Sequence, residues 1–158
     1  MLVPAISRKE EVLKKFSEMI YTEDYFYYCG YPHCHSIPEI KAEDDYFDWV
    51  SVDSKGEIIG YISYHINPAT DNVARFGMIS FDKGNPLFMR DVFNLLKDLV
   101  KNHRRVEWRC IGGNPVAAHY NKFCENCGGR VIALRSVVKG LDGSYRDEYI
   151  YEILNKEK

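Results

Sequence analysis

Apolar residues follow helical spacing in some parts of the chain and alternate in others. Residues 1–6 predict a short strand, which Pro4 confines to a sheet edge because proline cannot donate to a second neighbour. The segment Ser7–Glu10 matches a capping box, and a second short helix is expected from Thr22. The apolar face of the first helix is formed by Val12, Leu13, Phe16, Met19 and Ile20.

The middle of the chain changes to strand-like patterns. Residues 29–45 form a polar loop with two prolines, and strands are expected over about 46–52, 58–66 and 73–81. Turn residues separate these three strands. Three consecutive strands joined by turns indicate an antiparallel meander.

Helical and strand patterns alternate in the last part of the chain. Asn85 is a predicted N-cap and Pro86 the first residue of an apolar-faced helix. A strand follows over 105–111, and Asn114-Pro115 opens a helix to about Cys127, where Gly128 stops it. Two final strands are expected over 131–138 and 149–154.

The predicted element order is β-α-α-β-β-β-α-β-α-β-β. The helix between the strands at 73–81 and 105–111 implies a crossover connection, so these two strands should be parallel. The sequence therefore predicts an α+β fold with a mixed sheet of six to seven strands flanked by helices. No linker or repeat divides the 158 residues, and we expect one domain over 1–158.

Composition and charge exclude several classes of protein. The net charge is -2 without a clustered basic stripe, so nucleic acid is not an expected partner. No apolar run reaches the roughly 20 residues of a membrane span, and the N-terminus lacks the apolar region of a signal peptide. The five cysteines are an odd number, which favours a reducing cytoplasm over a disulfide framework.

The strand-to-helix junction at 81–88 is a candidate phosphate site. Amides at a helix N-terminus are unpaired and attract phosphate oxygens, Gly84 permits close approach of a ligand, and Lys83 adds positive charge. Amides near Gly84, Asn85, Leu87 and Phe88 could bind a diphosphate, whereas Pro86 has no donor. An ordinary capped turn would have the same local sequence, so the motif alone leaves both interpretations open.

The element order and this junction together resemble the GNAT acetyltransferase superfamily over nearly the whole chain. In that family the loop after the fourth strand binds the pyrophosphate of coenzyme A (CoA), usually through Arg/Gln-x-x-Gly-x-Gly/Ala, where this chain has Lys83-Gly84-Asn85-Pro86. The family also has an asparagine after the fifth strand and a tyrosine in the next helix. Asn114, Ala117 and Tyr120 are similar to that segment.

The resemblance implies acetyl transfer from acetyl-CoA to a primary amine, on a small molecule or a peptide, by direct attack. It implies that the pantetheine arm pairs with the strand residues Met78, Ile79, Ser80 and Phe81, beside a slot that opens towards strand 105–111. It also implies that Tyr120 serves the leaving thiolate and that Asn114, with Ala117 nearby, holds the pantetheine or acetyl end.

The proton acceptor and the amine site are less defined by the sequence. Glu107 is the candidate base because it lies on the strand beside the expected slot, with His65, His119 or a water relay as alternatives. The first helices and the following loop should contact the acceptor through Tyr25, Tyr28 and Tyr31. Aromatic residues beside carboxylates would suit a cationic amine, although these carboxylates also fit a solvated loop: Glu39, Glu43, Asp44 and Asp45.

Three other interpretations follow from the same residues. Cys29, His33, Cys34 and His35 match no standard zinc spacing, and the pair Cys124–Cys127 fits helix packing, so no metal is expected. The atypical phosphate loop is also compatible with an inactive acyl-CoA sensor of the same fold. A non-enzymatic α+β interaction domain with an aromatic surface is the third possibility. The chain is expected to act as a monomer or a homodimer.

Overall fold

The computed structural model describes residues 1–29, 37–42 and 44–158, except for the side chain of Cys29. A 3-10 turn over Ala5–Arg8 joins the first strand to the first helix. The helices are α1 (Lys9–Met19), α2 (Glu23–Cys29), α3 (Pro86–Asn102) and α4 (Ala117–Asn126). The strands are β1 (Leu2–Pro4), β2 (Tyr46–Val52), β3 (Ile58–Asn67), β4 (Asn72–Ser80), β5 (Arg105–Ile111), β6 (Arg130–Lys139) and β7 (Tyr145–Leu154).

The seven strands form one mixed sheet with the order β1-β2-β3-β4-β5-β7-β6. β4 and β5 are parallel, as the crossover through α3 predicts, and the remaining neighbours are antiparallel. β1 lies at one edge of the sheet, as Pro4 requires. The predicted α+β fold and its element order are confirmed.

Each face of the sheet has its own hydrophobic core. α3 and α4 pack with β3, β4, β5 and β7 around Phe88, Leu96 and Trp108 on one face. On the other face, α1 packs against β2 and β3 around Val12, Phe16 and Tyr61. The sheet thus separates two layers of helices, and a gap between two strands would connect them.

Gly60 on β3 allows α3 to pack closely against the sheet. A Cβ atom at this position would overlap the ring of Phe88, which is fully buried. We expect Gly60→Ala to lower the free energy of unfolding by about 1–3 kcal/mol through overpacking, measured by urea denaturation. Gly60→Ala combined with Phe88→Leu should recover part of this loss, since the smaller side chain provides the missing space. An unchanged stability of the single variant would contradict the close packing.

Several predicted boundaries differ from the structure, and three of these differences have a local cause. The capping box is wrong: residues 5–8 form the 3-10 turn, and the Ser7 hydroxyl donates to the Pro4 carbonyl at 2.7 Å instead of capping α1. α4 begins at Ala117, two residues after Pro115, because Asn114 closes a turn by accepting from the Val116 amide at 3.1 Å. β7 begins at Tyr145, earlier than predicted, because its first residues pair with the end of β6.

Among the residues that the structure describes, no helix combines the length and the apolar character needed to cross a membrane.

Candidate functional site

β4 and β5 separate halfway along their length. Their pairing runs from Asn72–Arg105 to Phe76–Trp108 and does not continue beyond this point. The cause is a bulge in β4, where the ladders with β3 and with β5 both shift register next to Arg75. Arg75 has a φ of 55°, in the left-handed region. Such a bulge twists the strand and ends pairing, so the sheet opens between residues 77–80 and 109–111.

A cavity of about 320 Å³ fills this opening on the side of α3 and α4. β4 forms one wall through Met78, Ile79 and Ser80, and the loop before α3 closes one end. Opposite them lie residues from the segment between β5 and α4. The cavity is lined there by Asn114, Pro115, Val116, His119 and Tyr120.

The N-terminus of α3 borders this cavity, and part of it is free to bind a ligand. Gly84 has a φ of 75°, and a Cβ atom built on it would meet nothing within 4 Å. Asn85 caps the helix as predicted, and its Oδ1 accepts from the Leu87 amide at 2.9 Å. Within the described part of the chain, the amides of Lys83, Gly84 and Phe88 have no acceptor. The corner is therefore open, although two of its four expected donors are used: the Leu87 amide by the cap, and the Asn85 amide by the Asp82 carbonyl at 3.2 Å.

Lys83 bonds across the mouth of the cavity to α2. Its ammonium lies 2.9 Å from a carboxylate oxygen of Asp24, and both residues line the cavity. The bond to Asp24 raises the pKa of Lys83 further above its ordinary value. Asp82, the other nearby carboxylate, instead accepts from the Asn85 side chain at 2.8 Å. An anion bound at Gly84 would therefore compete with Asp24 for Lys83.

Tyr120 is almost fully buried against the rings of Trp108, Phe93 and Tyr151. No described residue forms a hydrogen bond with its hydroxyl, and the residue lines the cavity. Burial raises the pKa of Tyr120 well above its ordinary value, with smaller contributions from Cys110 and Tyr151. The hydroxyl thus keeps its proton and can donate it to a group in the cavity.

A larger cavity of about 650 Å³ borders the same opening and is lined by residues of β5 and β7. The two cavities share wall residues at the gap between β4 and β5. These are Tyr27, Tyr28, Phe76, Gly77 and Arg109. Ligands in the two cavities can therefore meet at this gap.

Four charged side chains line the larger cavity, and three of them are in ion pairs. Glu148 on β7 is buried, and its carboxylate lies 3.0 Å from Arg109. Glu107 on β5 pairs with Arg105 at 2.6 Å. The fourth, Arg75, donates to the Tyr46 hydroxyl at 2.6 Å.

The structure brings most of the predicted donor-site residues together. Met78, Ile79, Ser80, Lys83, Gly84, Asn85, Asn114 and Tyr120 all line the smaller cavity, and Glu107 lines the larger one. Four of the predicted donor-site residues do not line the smaller cavity. Phe81 packs on Phe16, Phe88 is in the core, Leu87 is exposed, and Ala117 packs against the core.

The predicted acceptor residues are divided. Tyr28 lines both cavities, whereas Tyr25 is buried in the core beside Phe16 and lines neither. Tyr31 and Glu43 lie outside the described residues. His65 bonds to Asp45 at 3.0 Å and lines neither cavity, and His119 is an exposed residue at the smaller one.

Sequence reasoning missed several residues of the larger cavity. Tyr27 is next to the predicted Tyr28, but its helical position could not be assigned to a face without the structure. Glu148 lies far from Glu107 in sequence, and only the pairing of β7 with β5 brings it to the site. Arg75 could have been noticed as a charged residue within an otherwise apolar strand.

The prediction that the protein has no metal site stays a prediction, because the structure describes only part of the chain. Among the described residues, no cluster of three or more histidine, cysteine, aspartate or glutamate side chains could hold a metal ion. His33, Cys34 and His35 are outside this part of the chain, as is the side chain of Cys29.

The fold is similar to those of solved acetyltransferases. A GCN5-related N-acetyltransferase from Kribbella flavida aligns over 98% of this chain and 97% of its own, with a TM-score of 0.68 and 16% identity. The spermidine/spermine N-acetyltransferase SpeG from Vibrio cholerae has a TM-score of 0.56 at 20% identity, and a probable GNAT-family acetyltransferase from Chromobacterium violaceum 0.55 at 26%.

The last two alignments cover 71% of this chain but only 66% and 60% of those proteins. No protein-family model and no curated protein sequence matches the chain. The structural similarities confirm the resemblance predicted from the sequence: the chain has the fold of the GNAT acetyltransferases.

Proposed function

We propose that the protein is an N-acetyltransferase that moves an acetyl group from acetyl-CoA to a primary amine by direct attack. One observation supports this proposal most strongly. At the opening between β4 and β5, a cavity beside the N-terminus of α3 adjoins a second, larger cavity lined by β5 and β7, and the two share wall residues. Two substrates that enter the two cavities would meet beside Tyr120.

The residues of the smaller cavity fit acetyl-CoA. The thioester of acetyl-CoA would supply the activated acetyl group. The free amides of Gly84 and Phe88 would bind diphosphate oxygens in the open space above Gly84, and Lys83 would exchange Asp24 for this anion. The edge of β4 at residues 77–80, which has no strand partner on the β5 side, would pair with the amides of the pantetheine arm.

At the junction, the protein would position the two reactants and handle two protons. The Tyr120 hydroxyl would donate a hydrogen bond or its proton to the departing thiolate. Asn114 uses its Oδ1 for Val116, which leaves its amide group to orient the acetyl end. On the acceptor side, Glu107 would take the proton that an ammonium must lose, directly or through water.

The test is the release of free thiol from acetyl-CoA in the presence of a panel of amines. Amine-dependent release would support the transferase. If CoA binds in calorimetry but thiol is never released, the inactive sensor is the better interpretation. If CoA does not bind at millimolar concentration, the chain is an α+β domain with another role. The proposal also includes a single domain over 1–158, a monomer or homodimer, and a cytoplasmic location.

Asp24→Asn should strengthen binding of CoA. The carboxylate of Asp24 competes with a diphosphate for Lys83, so its removal should lower the Kd by up to about fivefold, the usual upper range for an exposed ion pair. Calorimetry at low ionic strength would measure this change. Glu18→Gln removes the same charge from the exposed side of α1 and is the control. Equal or weaker binding by Asp24→Asn would show that Lys83 does not exchange partners.

A further inference from the structure

Arg75 is the unbalanced charge in the larger cavity. Among the side chains that line this cavity, Glu148 pairs with Arg109, and Glu107 pairs with Arg105, which also bonds to Glu152. Arg75 has no carboxylate partner within the described residues, and its bond to the Tyr46 hydroxyl is to a neutral group. Arg75, whose side chain is exposed, is therefore the one charge lining this cavity that has no oppositely charged partner among the described residues.

The position of Arg75 suits recognition at a distance from the reacting atoms. Arg75 lines the larger cavity but not the smaller one, so it lies on the acceptor side of the gap. It is also the residue with a left-handed φ in the bulge that separates β4 from β5. A side chain other than glycine in this conformation costs free energy, and residues held in this way cluster at binding sites.

We propose that the acceptor amine also has an anionic oxygen group, a carboxylate or a phosphate, which the guanidinium of Arg75 binds. This inference rests on the proposed acetyl transfer for the role of the amine. A guanidinium presents paired N–H donors that match the oxygens of either anion. The acceptor class is thus an amino acid, a peptide with a free carboxylate or an amino phosphate. The simple cationic amine suggested by the tyrosines and carboxylates near the N-terminus would leave Arg75 without an anionic partner.

Matched pairs of amines test this class. Tyrosine is compared with tyrosinamide, alanyl-tyrosine with its amide, and phosphoethanolamine with ethanolamine. Calorimetry measures their binding to the protein with CoA present and absent. We expect at least one member that carries the carboxylate or phosphate to bind about tenfold or more tightly than its partner without that group, as charge-assisted hydrogen bonds allow. Preference in the first two pairs would identify a carboxylate, and preference in the third a phosphate.

Three variants connect this preference to Arg75. Arg75→Gly removes the guanidinium and suits the left-handed backbone, so the variant should fold normally, and the preference should disappear. Arg75→Lys keeps the charge, so this variant should retain part of the preference. Arg135→Ala removes an exposed arginine on β6 that lines neither cavity, and the preference should persist.

Two results would overturn the inference: equal binding of both members of every pair by the unmodified protein, or an unchanged preference in Arg75→Gly. Failure of the proposed function has a different signature. If the anionic members bind through Arg75 but no amine releases thiol from acetyl-CoA, the acceptor class stands and the transferase does not. If thiol is released equally with amines that have the anionic group and amines that lack it, the transferase stands and the acceptor class does not.

Discussion

Tyr120→Phe is expected to slow acetyl transfer by about a hundredfold, the lower range for loss of a general acid. The substitution removes one oxygen atom and preserves the ring contacts with Trp108 and Phe93. Binding of CoA should change little, because the hydroxyl acts on the thiolate that forms during the reaction. Steady-state kinetics, with calorimetry for CoA, would separate kcat from affinity.

The pKa of Tyr120 adds a second expectation. Because burial raises this pKa above its ordinary value of 10.0, the hydroxyl remains protonated over the whole pH range in which the protein is assayed. Ionisation of Tyr120 should therefore not lower the rate at alkaline pH. The rate of the unmodified protein and the rate of Tyr120→Phe should depend on alkaline pH in the same way. Such a decrease would mean that the environment of Tyr120 is more polar than the structure shows.

Tyr151→Phe is the matched control for this prediction. Tyr151 belongs to the same aromatic cluster and stacks on Trp108, but its hydroxyl donates to Asn121 at 2.7 Å and lines neither cavity. Loss of the Tyr151 hydroxyl should affect stability more than the rate of acetyl transfer. Equal rates for Tyr120→Phe and the unmodified protein would remove Tyr120 from the reaction.

Gly84→Glu is expected to weaken binding of CoA by at least about a hundredfold, because like charges brought together at a binding site cost several kcal/mol. The new side chain would extend into the open space beside the free amides at the start of α3. Its carboxylate would accept hydrogen bonds from those amides and repel the diphosphate. Calorimetry with CoA measures the effect without any need for an acceptor.

The control for this variant must have the same backbone strain. Gly143, in the turn between β6 and β7, has a φ of 80° against 75° for Gly84, and a Cβ atom on either meets nothing within 4 Å. Gly143→Glu should therefore lose similar stability but bind CoA normally. Normal binding by Gly84→Glu as well would place the diphosphate elsewhere and remove the main support for the donor site.

Local sequence signals predicted the donor side well where the signal depends on one short segment of the chain. Asn85 and Pro86 mark the start of α3 because a side-chain cap and a fixed φ act within a few residues. The same signal at Asn114 and Pro115 produced a turn first, and the Ser7 capping box was displaced by a 3-10 turn. In both cases another local hydrogen bond formed instead of the predicted cap. The residue types alone do not show which of the two hydrogen bonds is more stable.

The acceptor side was predicted less completely. Tyr28 and Glu107 line the larger cavity, but Tyr25 turns into the core. Glu148 and Arg75 were not predicted because each depends on the pairing of strands. Glu148 reaches the cavity through its register with Ile111 of β5, and Arg75 through the bulge that shifts β4 against both neighbours.

By itself, the sequence determined the order of the elements, the mixed sheet and the loop at the start of α3. These follow from spacing, caps and turns, which involve residues close together along the chain. Only the tertiary structure decided where the sheet opens, which charges face each other across the cavity, and that Arg75 has no anionic partner among the described residues. Such features arise from the register between strands distant in sequence, and a shift of one residue would change every contact.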